Sequence, residues 1–273
     1  MLGGKLREGG KLMKFYIGTD LEGVAVVTGV AGQGMNKDCK QYEFARRMLT
    51  CEVNAAIDGL LSAGQAEIIV SDGHSDGTSN IIYEELRRGV KILAGSPRPR
   101  QLEVVDESFT GIILIGYHPM AGVENGVLSH TFSSVAIQNM WLNGRLVGEI
   151  GLTAVQAGAL GVPVIFVSSC KAGTDEAKDW IPGVTTVAVK EGLGRNCAIS
   201  LHPEDAQEKI RDGVGRAVAK LAQIQPLRIE PPYELRIEYK LESTAEAMVR
   251  ATGCERIDSR TIVRRSDDIF KVY

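Results

Sequence analysis

The chain has 273 residues, 44% of them hydrophobic and 24% charged, which is the composition of a globular protein able to bury a large core in one main domain. A formal net charge of −3 provides no basic field for nucleic acid, and no apolar run reaches the roughly 20 residues that a membrane helix needs. Five cysteines (Cys39, Cys51, Cys170, Cys197, Cys254) lie scattered without a C-x-x-C pair, which argues against a disulfide framework and against a thiolate zinc site.

The opening "MLGGKLREGGKL" has no signal-peptide apolar segment, so residues 1–12 read as a flexible extension of a cytoplasmic protein, with Met13 a second candidate start. A short strand from Met13 to Ile17 runs into "GTDLEG", and a glycine-rich loop, Thr28 to Gly34, follows. In "YEFARRMLTCEVNAAIDGLLSAG", Phe44, Met48, Leu49, Val53, Ala56, Ile57, Leu60 and Leu61 recur at three- and four-residue steps. That spacing predicts an amphipathic helix, and Gly64 stops it. "AEIIVSDGH" is the next strand; its apolar core, Ile68 to Val70, is continuous, as in a strand covered on both faces. Strand, helix and strand make a β-α-β unit, hence a parallel pair with a right-handed crossover.

The pattern recurs. "NIIYEELRRG" reads as a short helix, "VKILAG" as a strand and "GIILIGYH" as a strongly apolar strand. "SVAIQNMWLNGRLVG" predicts a hairpin turning on Asn143-Gly144. Next come a small-residue helix, "EIGLTAVQAGALG", a buried strand, "VPVIFVSSC", a short helix, "TDEAKDWI", and a strand, "TTVAVKEG". "PEDAQEKIRDGVGRAVAKLAQI" is a long helix with Pro203 near its start. This alternation predicts an α/β fold over 13–225, a mainly parallel sheet flanked by helices. From Pro226 the texture changes: "PLRIEPPYELRIEYKL" alternates apolar and charged residues, then a helix (Thr244 to Thr252) and a strand (Thr261 to Arg265) follow. Residues 226–273 therefore read as a small α+β appendage with a one-sided sheet, packed on the main domain or on another subunit.

Ligands of open α/β sheets bind outside the carboxyl ends of the strands. Three strands end in polar residues of chemical interest: Asp20 and Glu22, then Ser71-Asp72-Gly73-His74, then Tyr117-His118. His130 follows in "VLSHTF", while the fourth histidine, His202, adjoins Pro203 at a helix start and reads as structural. Glu149 opens a helix that is otherwise nearly uncharged, where a buried carboxylate requires a partner. Separately, each has a plain reading as a polar strand end, a turn residue or, for Glu149, a complement to the helix dipole. Together, two imidazoles and three carboxylates on one rim form a donor set suited to Zn²⁺, with Mn²⁺ or Co²⁺ as alternatives. Five donors exceed what one tetrahedral ion needs, and a carboxylate can bridge. Two ions ~3.5–4 Å apart would activate a water and polarise a carbonyl or phosphoryl oxygen.

"GTDLEG", "SDGHS", "GYHPMAG", "LSHTF" and "GEIGLTA", in this order and spacing, resemble the D-aminopeptidases of the DppA type, peptidase family M55. The similarity continues through "VPVIFV" and "IPGVTTVAVK" and runs from about Met13 to about Ile237. The resemblance implies a two-zinc hydrolase acting at the N-termini of short peptides, D-aminoacyl ones above all, in a ring-like homo-oligomer, a decamer with its active sites facing an internal channel. Carried over motif by motif, Asp20 would bridge the metals. Glu22 and His74 would complete one zinc site, and His118 and Glu149 the other. His130 would be the catalytic residue that is not a ligand, acting as general base or nucleophile. Two positions depart from the family pattern: Gly18 replaces a serine, and "SSCKAG" (Ser168 to Gly173) stands where relatives carry acidic residues, which bears on substrate choice.

Three rival readings use the same residues or their neighbours. Cys170, at a strand end, would serve a cysteine-dependent amidohydrolase as its nucleophile, against the plainer reading of a small buried thiol. The dinuclear centre would also suit phosphate esters, but the chain has no Walker-type loop. A non-catalytic oligomeric metal-binding protein is the third, although structural zinc sites are closed and usually rich in cysteine.

Overall fold

The computed structural model describes residues 7–8, 11–98 and 100–273, so most of the expected extension at 1–12 lies outside the described residues. From Lys14 the elements are β1 (Lys14–Thr19), α1 (Tyr42–Ser62), β2 (Glu67–Ser71), β3 (Lys91–Leu93), β4 (Gly111–Ile115), β5 (Ile137–Leu142), β6 (Arg145–Leu146), α2 (Glu149–Ala159), β7 (Val164–Cys170) and α3 (Lys171–Trp180). They continue as β8 (Thr185–Gly194), β9 (Cys197–Ser200), α4 (Pro203–Ala219), β10 (Tyr233–Tyr239), α5 (Glu242–Thr252), β11 (Glu255–Arg256), β12 (Thr261–Ser266) and α6 (Ile269–Val272).

The main sheet has the order β9-β8-β7-β4-β1-β2-β3, parallel throughout except for the antiparallel edge pair β8–β9. Its apolar runs are continuous because successive residues enter opposite cores. Phe15, Ile17, Ile113 and Ile115 pack with Leu49, Val53 and Leu60 of α1 and with Ile210 and Val214 of α4. Tyr16, Ile112 and Leu114 face the other way, towards Ile150 and Leu152 of α2, Trp180 of α3 and Leu235 and Ile237 of β10. This is an α/β fold, as the alternation of elements predicts.

A second sheet, β11-β12-β10-β5-β6, is antiparallel and covers that other face. Its β5–β6 hairpin turns on Asn143 and Gly144, both at positive φ (49° and 80°), as the Asn-Gly pair predicts. The hairpin pairs with the C-terminal strand β10, Met140 opposite Ile237 and Leu142 opposite Leu235, so residues 226–273 share their sheet with a segment from the middle of the chain.

The segment "NIIYEELRRG" differs from expectation, with only a 3₁₀ turn at Tyr83–Glu85. Side chains of α1 take the backbone groups that a helix would have paired internally. Thr50 Oγ1 accepts from Ile82 N–H (3.0 Å), Asn54 Oδ1 accepts from Arg87 N–H (2.8 Å), and Asn54 Nδ2 donates to Glu85 O (2.9 Å). Among the described residues, no helix is long and apolar enough to cross a membrane.

From β1 the chain steps outward through β2 and β3, then returns to β4 on the other flank and steps outward through β7 and β8. The carboxyl ends of β1 and β4 thus form the topological switch point, the place where open α/β sheets leave a crevice.

Candidate metal centre

Asp20 and Glu22 leave the end of β1, His74 follows β2, His118 follows β4, and Glu149 is the first residue of α2. Backbone bonds clamp the two central loops together, Asp20 N–H to Ile115 O (2.9 Å) and Gly23 N–H to Gly116 O (2.6 Å). A Cβ on Gly23 would lie 1.8 Å from Tyr117 O, so only glycine permits this approach.

The five expected ligands converge. Asp20 divides its oxygens, Oδ1 lying 2.9 Å from His74 Nδ1 and Oδ2 3.3 Å from His118 Nε2. Glu22 Oε2 is 3.3 Å from the same nitrogen of His74, and Glu149 Oε1 is 3.3 Å from the same nitrogen of His118. The His130 ring stacks on His118 with centroids 3.9 Å apart. Two donor groups result, Asp20–Glu22–His74 and His118–His130–Glu149, each with its ligand atoms within 4.8 Å of one another.

Each imidazole spends its other nitrogen on a backbone carbonyl. His74 Nε2 faces Met35 O, His118 Nδ1 lies 3.0 Å from Pro119 O, and His130 Nδ1 lies 2.8 Å from Leu128 O. A carbonyl only accepts, so these nitrogens carry the hydrogens. The opposite nitrogens of His74 and His118 then aim a lone pair at two carboxylates each, which is repulsive unless a cation lies between. A proton or a divalent ion meets that need. Burial opposes charge on His74, but Glu22 and Asp20 overcome it and hold its pKa well above the ordinary value. Burial likewise opposes charge on His118, and Glu149 and Asp20 lift it to about 10. Burial, with the Glu22 charge beside it, raises Asp20 to about 7. Glu22 and Glu149 are lowered despite burial, the first chiefly by His74 and the second by His118. Glu22 Oε2 is buried without a hydrogen-bond partner among the described residues, as an oxygen reserved for an ion would be. Two nitrogens and three carboxylates, with backbone carbonyls fixing the rings, fit a borderline divalent metal such as zinc.

Several supporting residues carry no local sequence signal. Lys190 of β8 is buried, and its Nζ donates to Glu22 O (2.6 Å), Val24 O (2.7 Å) and Val27 O. Glu52 of α1 accepts from Ala25 N–H (2.8 Å) in the same loop. Burial lowers Lys190 to about 8 and raises Glu52 to about 7. Each buried carbonyl left unpaired costs about 1–3 kcal/mol. Lys190→Met is therefore expected to lower stability by about 3 kcal/mol or more, read as a reduced urea midpoint. An unchanged midpoint would show that the loop does not depend on this amine.

On the other flank Glu176 of α3 accepts from Met120 N–H (2.7 Å), and burial raises its pKa to about 7. The Ser168–Gly173 segment braces the same loop: Ser168 Oγ accepts from Gly116 N–H (3.3 Å), and Ser169 Oγ donates to Tyr117 O (2.5 Å). Asp72 is no part of the donor set. Its carboxylate accepts from Asn80 N–H (3.0 Å), Asn80 Nδ2 (2.7 Å) and Tyr83 Oη (2.8 Å), which fixes the loop presenting His74. Cys170 is fully buried in the core beneath α4, and His202 caps α4 by accepting from Glu204 N–H (3.3 Å).

Two cavities meet at the centre. One of about 440 Å³ holds the donor residues, and another of about 490 Å³ is floored by Tyr16, Gly18 and Ser71; they share Gly73, Ser75, Tyr117, Phe132 and Glu149.

The family model Peptidase M55, D-aminopeptidase, matches residues 13–273. The D-aminopeptidase of Bacillus subtilis (strain 168) is 30% identical over 263 residues, which cover 96% of this chain and 94% of that protein. A solved structure, the Zn-dependent D-aminopeptidase DppA from Bacillus subtilis, a self-compartmentalizing protease, superposes with a TM-score of 0.88 at 29% identity, covering 95% of this chain and 94% of its own. Agreement along the whole length, from the first core strand through the convergent rim to the last helix, places this chain in the Peptidase M55 family of D-aminopeptidases.

Proposed function

We propose that this aminopeptidase works with two zinc ions per chain and removes the N-terminal residue, a D-residue by preference, from short peptides. The observation that carries the reading is the division of the Asp20 carboxylate between His74 and His118. Asp20 would hold both ions, Glu22 and His74 would complete one position, and His118 and Glu149 the other. The zinc dependence of the solved relative supports the choice of metal; the donor set also tolerates Mn²⁺ or Co²⁺.

When bound, the ions lower the pKa of a water from about 15.7 towards about 7 and polarise the scissile carbonyl. The protein's own part is proton transfer and orientation. Burial, and after it the charge of His118, lowers the pKa of His130, so this ring is a neutral base. The bond from Nδ1–H to Leu128 O fixes its tautomer, leaving Nε2 to take a proton from the attacking water and return it to the leaving amine. Glu149 is oriented by the Phe132 N–H, which donates to its Oε1 (2.6 Å).

A self-compartmentalizing relative supports a homo-oligomer here; its ring-like decameric form is what the sequence resemblance implies, and we propose the cytoplasm as its setting. The cysteine-hydrolase reading is disfavoured because Cys170 is 0% exposed and outside both cavities. The test is a panel of matched D- and L-aminoacyl amides and dipeptides, with metal content measured on the same sample. Two zinc ions per chain, faster D-substrates and complete loss of turnover on chelation are expected. One ion per chain, or equal rates for both enantiomers, would refute the corresponding half of the reading.

A further inference from the structure

The second cavity holds a cation that nothing in the hydrolytic machinery uses. Arg98 lines it and is partly buried. Its hydrogen bonds go from Nε to Gly95 O (3.0 Å), from Nη1 to Ser71 Oγ (2.7 Å), and from Nη2 to Asp72 O (2.6 Å) and Leu93 O (3.4 Å). All four acceptors are neutral, and among the described residues no carboxylate lies within ion-pair distance of it. A guanidinium has five N–H groups, so one on Nη1 stays uncommitted. The seat itself is specific: a Cβ at Gly77 would come 2.8 Å from Arg98 Nη2.

We infer that this cavity is a carboxylate-binding subsite of the aminopeptidase, in which Arg98 receives a carboxylate of the substrate and Arg100 assists. The inference rests on the aminopeptidase reading of the adjoining centre. A partly buried guanidinium tied only to neutral acceptors has no carboxylate to offset it, and its rigid fork is oriented before a ligand arrives. Arg100 is more loosely placed, 4.0 Å from Glu103 and stacked over Phe270, with one long bond to Val105 O (3.4 Å). The remaining charges on the lining are Glu149, which belongs to the metal centre, and Asp76, whose carboxylate is engaged by Lys37 at 3.2 Å.

The rest of the lining suits the polar end of a small substrate. Tyr16, Ser71, Tyr117 and Thr153 bring four hydroxyl-bearing side chains to the cavity wall. Gly18 keeps the floor open, since a Cβ there would stand 3.1 Å from Tyr117 Oη. Phe132 and Tyr273, stacked with centroids 4.2 Å apart, close one side. Because the two cavities share five lining residues, a peptide held at the metal centre extends directly into this one. Two sources present the required carboxylate: the C-terminus of a dipeptide or tripeptide, and an acidic side chain.

The experiment compares kcat/KM of the zinc-loaded protein on two pairs, D-alanylglycine against D-alanylglycinamide and D-glutamylglycinamide against D-glutaminylglycinamide. A charge-assisted bond to a fixed guanidinium predicts a preference of about tenfold or more for the carboxylate member, mostly in KM. The first pair reveals a C-terminal carboxylate and the second an acidic side chain. In Arg98→Gln the preference ratio should collapse towards one, and in Arg100→Gln it should fall by a smaller factor. No preference in either pair overturns the inference, as does an Arg98→Gln protein that loses rate on both members of a pair alike. Should Arg98→Gln fail to fold, the wild-type ratios and Arg100→Gln still decide. If none of the four peptides is hydrolysed, the aminopeptidase reading falls separately. Calorimetric titration of the same peptides then judges the subsite, where equal affinity for acid and amide rejects it.

Discussion

Asp20→Ala is expected to leave the protein without zinc at either position and without measurable peptide hydrolysis. Its two oxygens serve different imidazoles, so one substitution removes a ligand from both donor groups at once. What remains is Glu22 with His74 and His118 with Glu149, two donors for each ion where catalytic zinc ordinarily takes three protein ligands. Losing both ions removes several kcal/mol of charge stabilisation in the transition state. In kcat/KM that is a fall on the order of 10³-fold or more. Zinc measured by elemental analysis beside the rate decides the matter: a variant that keeps two ions per chain would exclude the bridge. Glu22→Ala is the natural comparison, because its oxygen faces only His74.

His130→Ala should behave in the opposite way, retaining both ions while kcat falls by roughly 10²–10⁴, the usual contribution of a positioned acid–base group. The ring is stacked on His118 and tied to Leu128 O, and its pKa lies below the ordinary 6.5. A base works in its neutral form, so wild-type kcat/KM should decline as pH falls through that lowered value, and this acid limb should vanish in the variant. The grouping of His130 with His118 and Glu149 makes the alternative concrete. Zinc lost in proportion to activity would make His130 a ligand instead.

The supporting residues explain why such a centre tolerates little change around it. Lys190, Glu52 and Glu176 hold the loops after β1 and β4 by their peptide groups, and among the hydrogen bonds of the described residues only that from Lys190 reaches a donor residue, at the Glu22 backbone. Each is a buried ionisable side chain in an otherwise apolar layer, stable there because a backbone partner is supplied.

Periodicity along the chain determined the α/β class, the long helices and the strand ends, because burial on one or both faces imprints itself on neighbouring residues. Asn143-Gly144 determined its turn in the same local way, since few other residue pairs accept two positive φ values. The donor residues were legible too, as polar residues placed where apolar strands stop. Their partnership was not a local property. Asp20, His74, His118 and Glu149 come together only because β1 pairs with both β2 and β4 in parallel register, which brings their carboxyl ends to one rim. The short helix expected near Tyr83 gave way to side chains of α1, and residues 226–273 found their strand partner in the β5–β6 hairpin, both through contacts far apart in sequence. The same holds for the amine beneath Glu22 and for the Arg98 guanidinium seated among neutral acceptors in the second cavity. Tertiary structure alone decided these, because a buried charge is defined by what surrounds it in space and not by its neighbours in the chain.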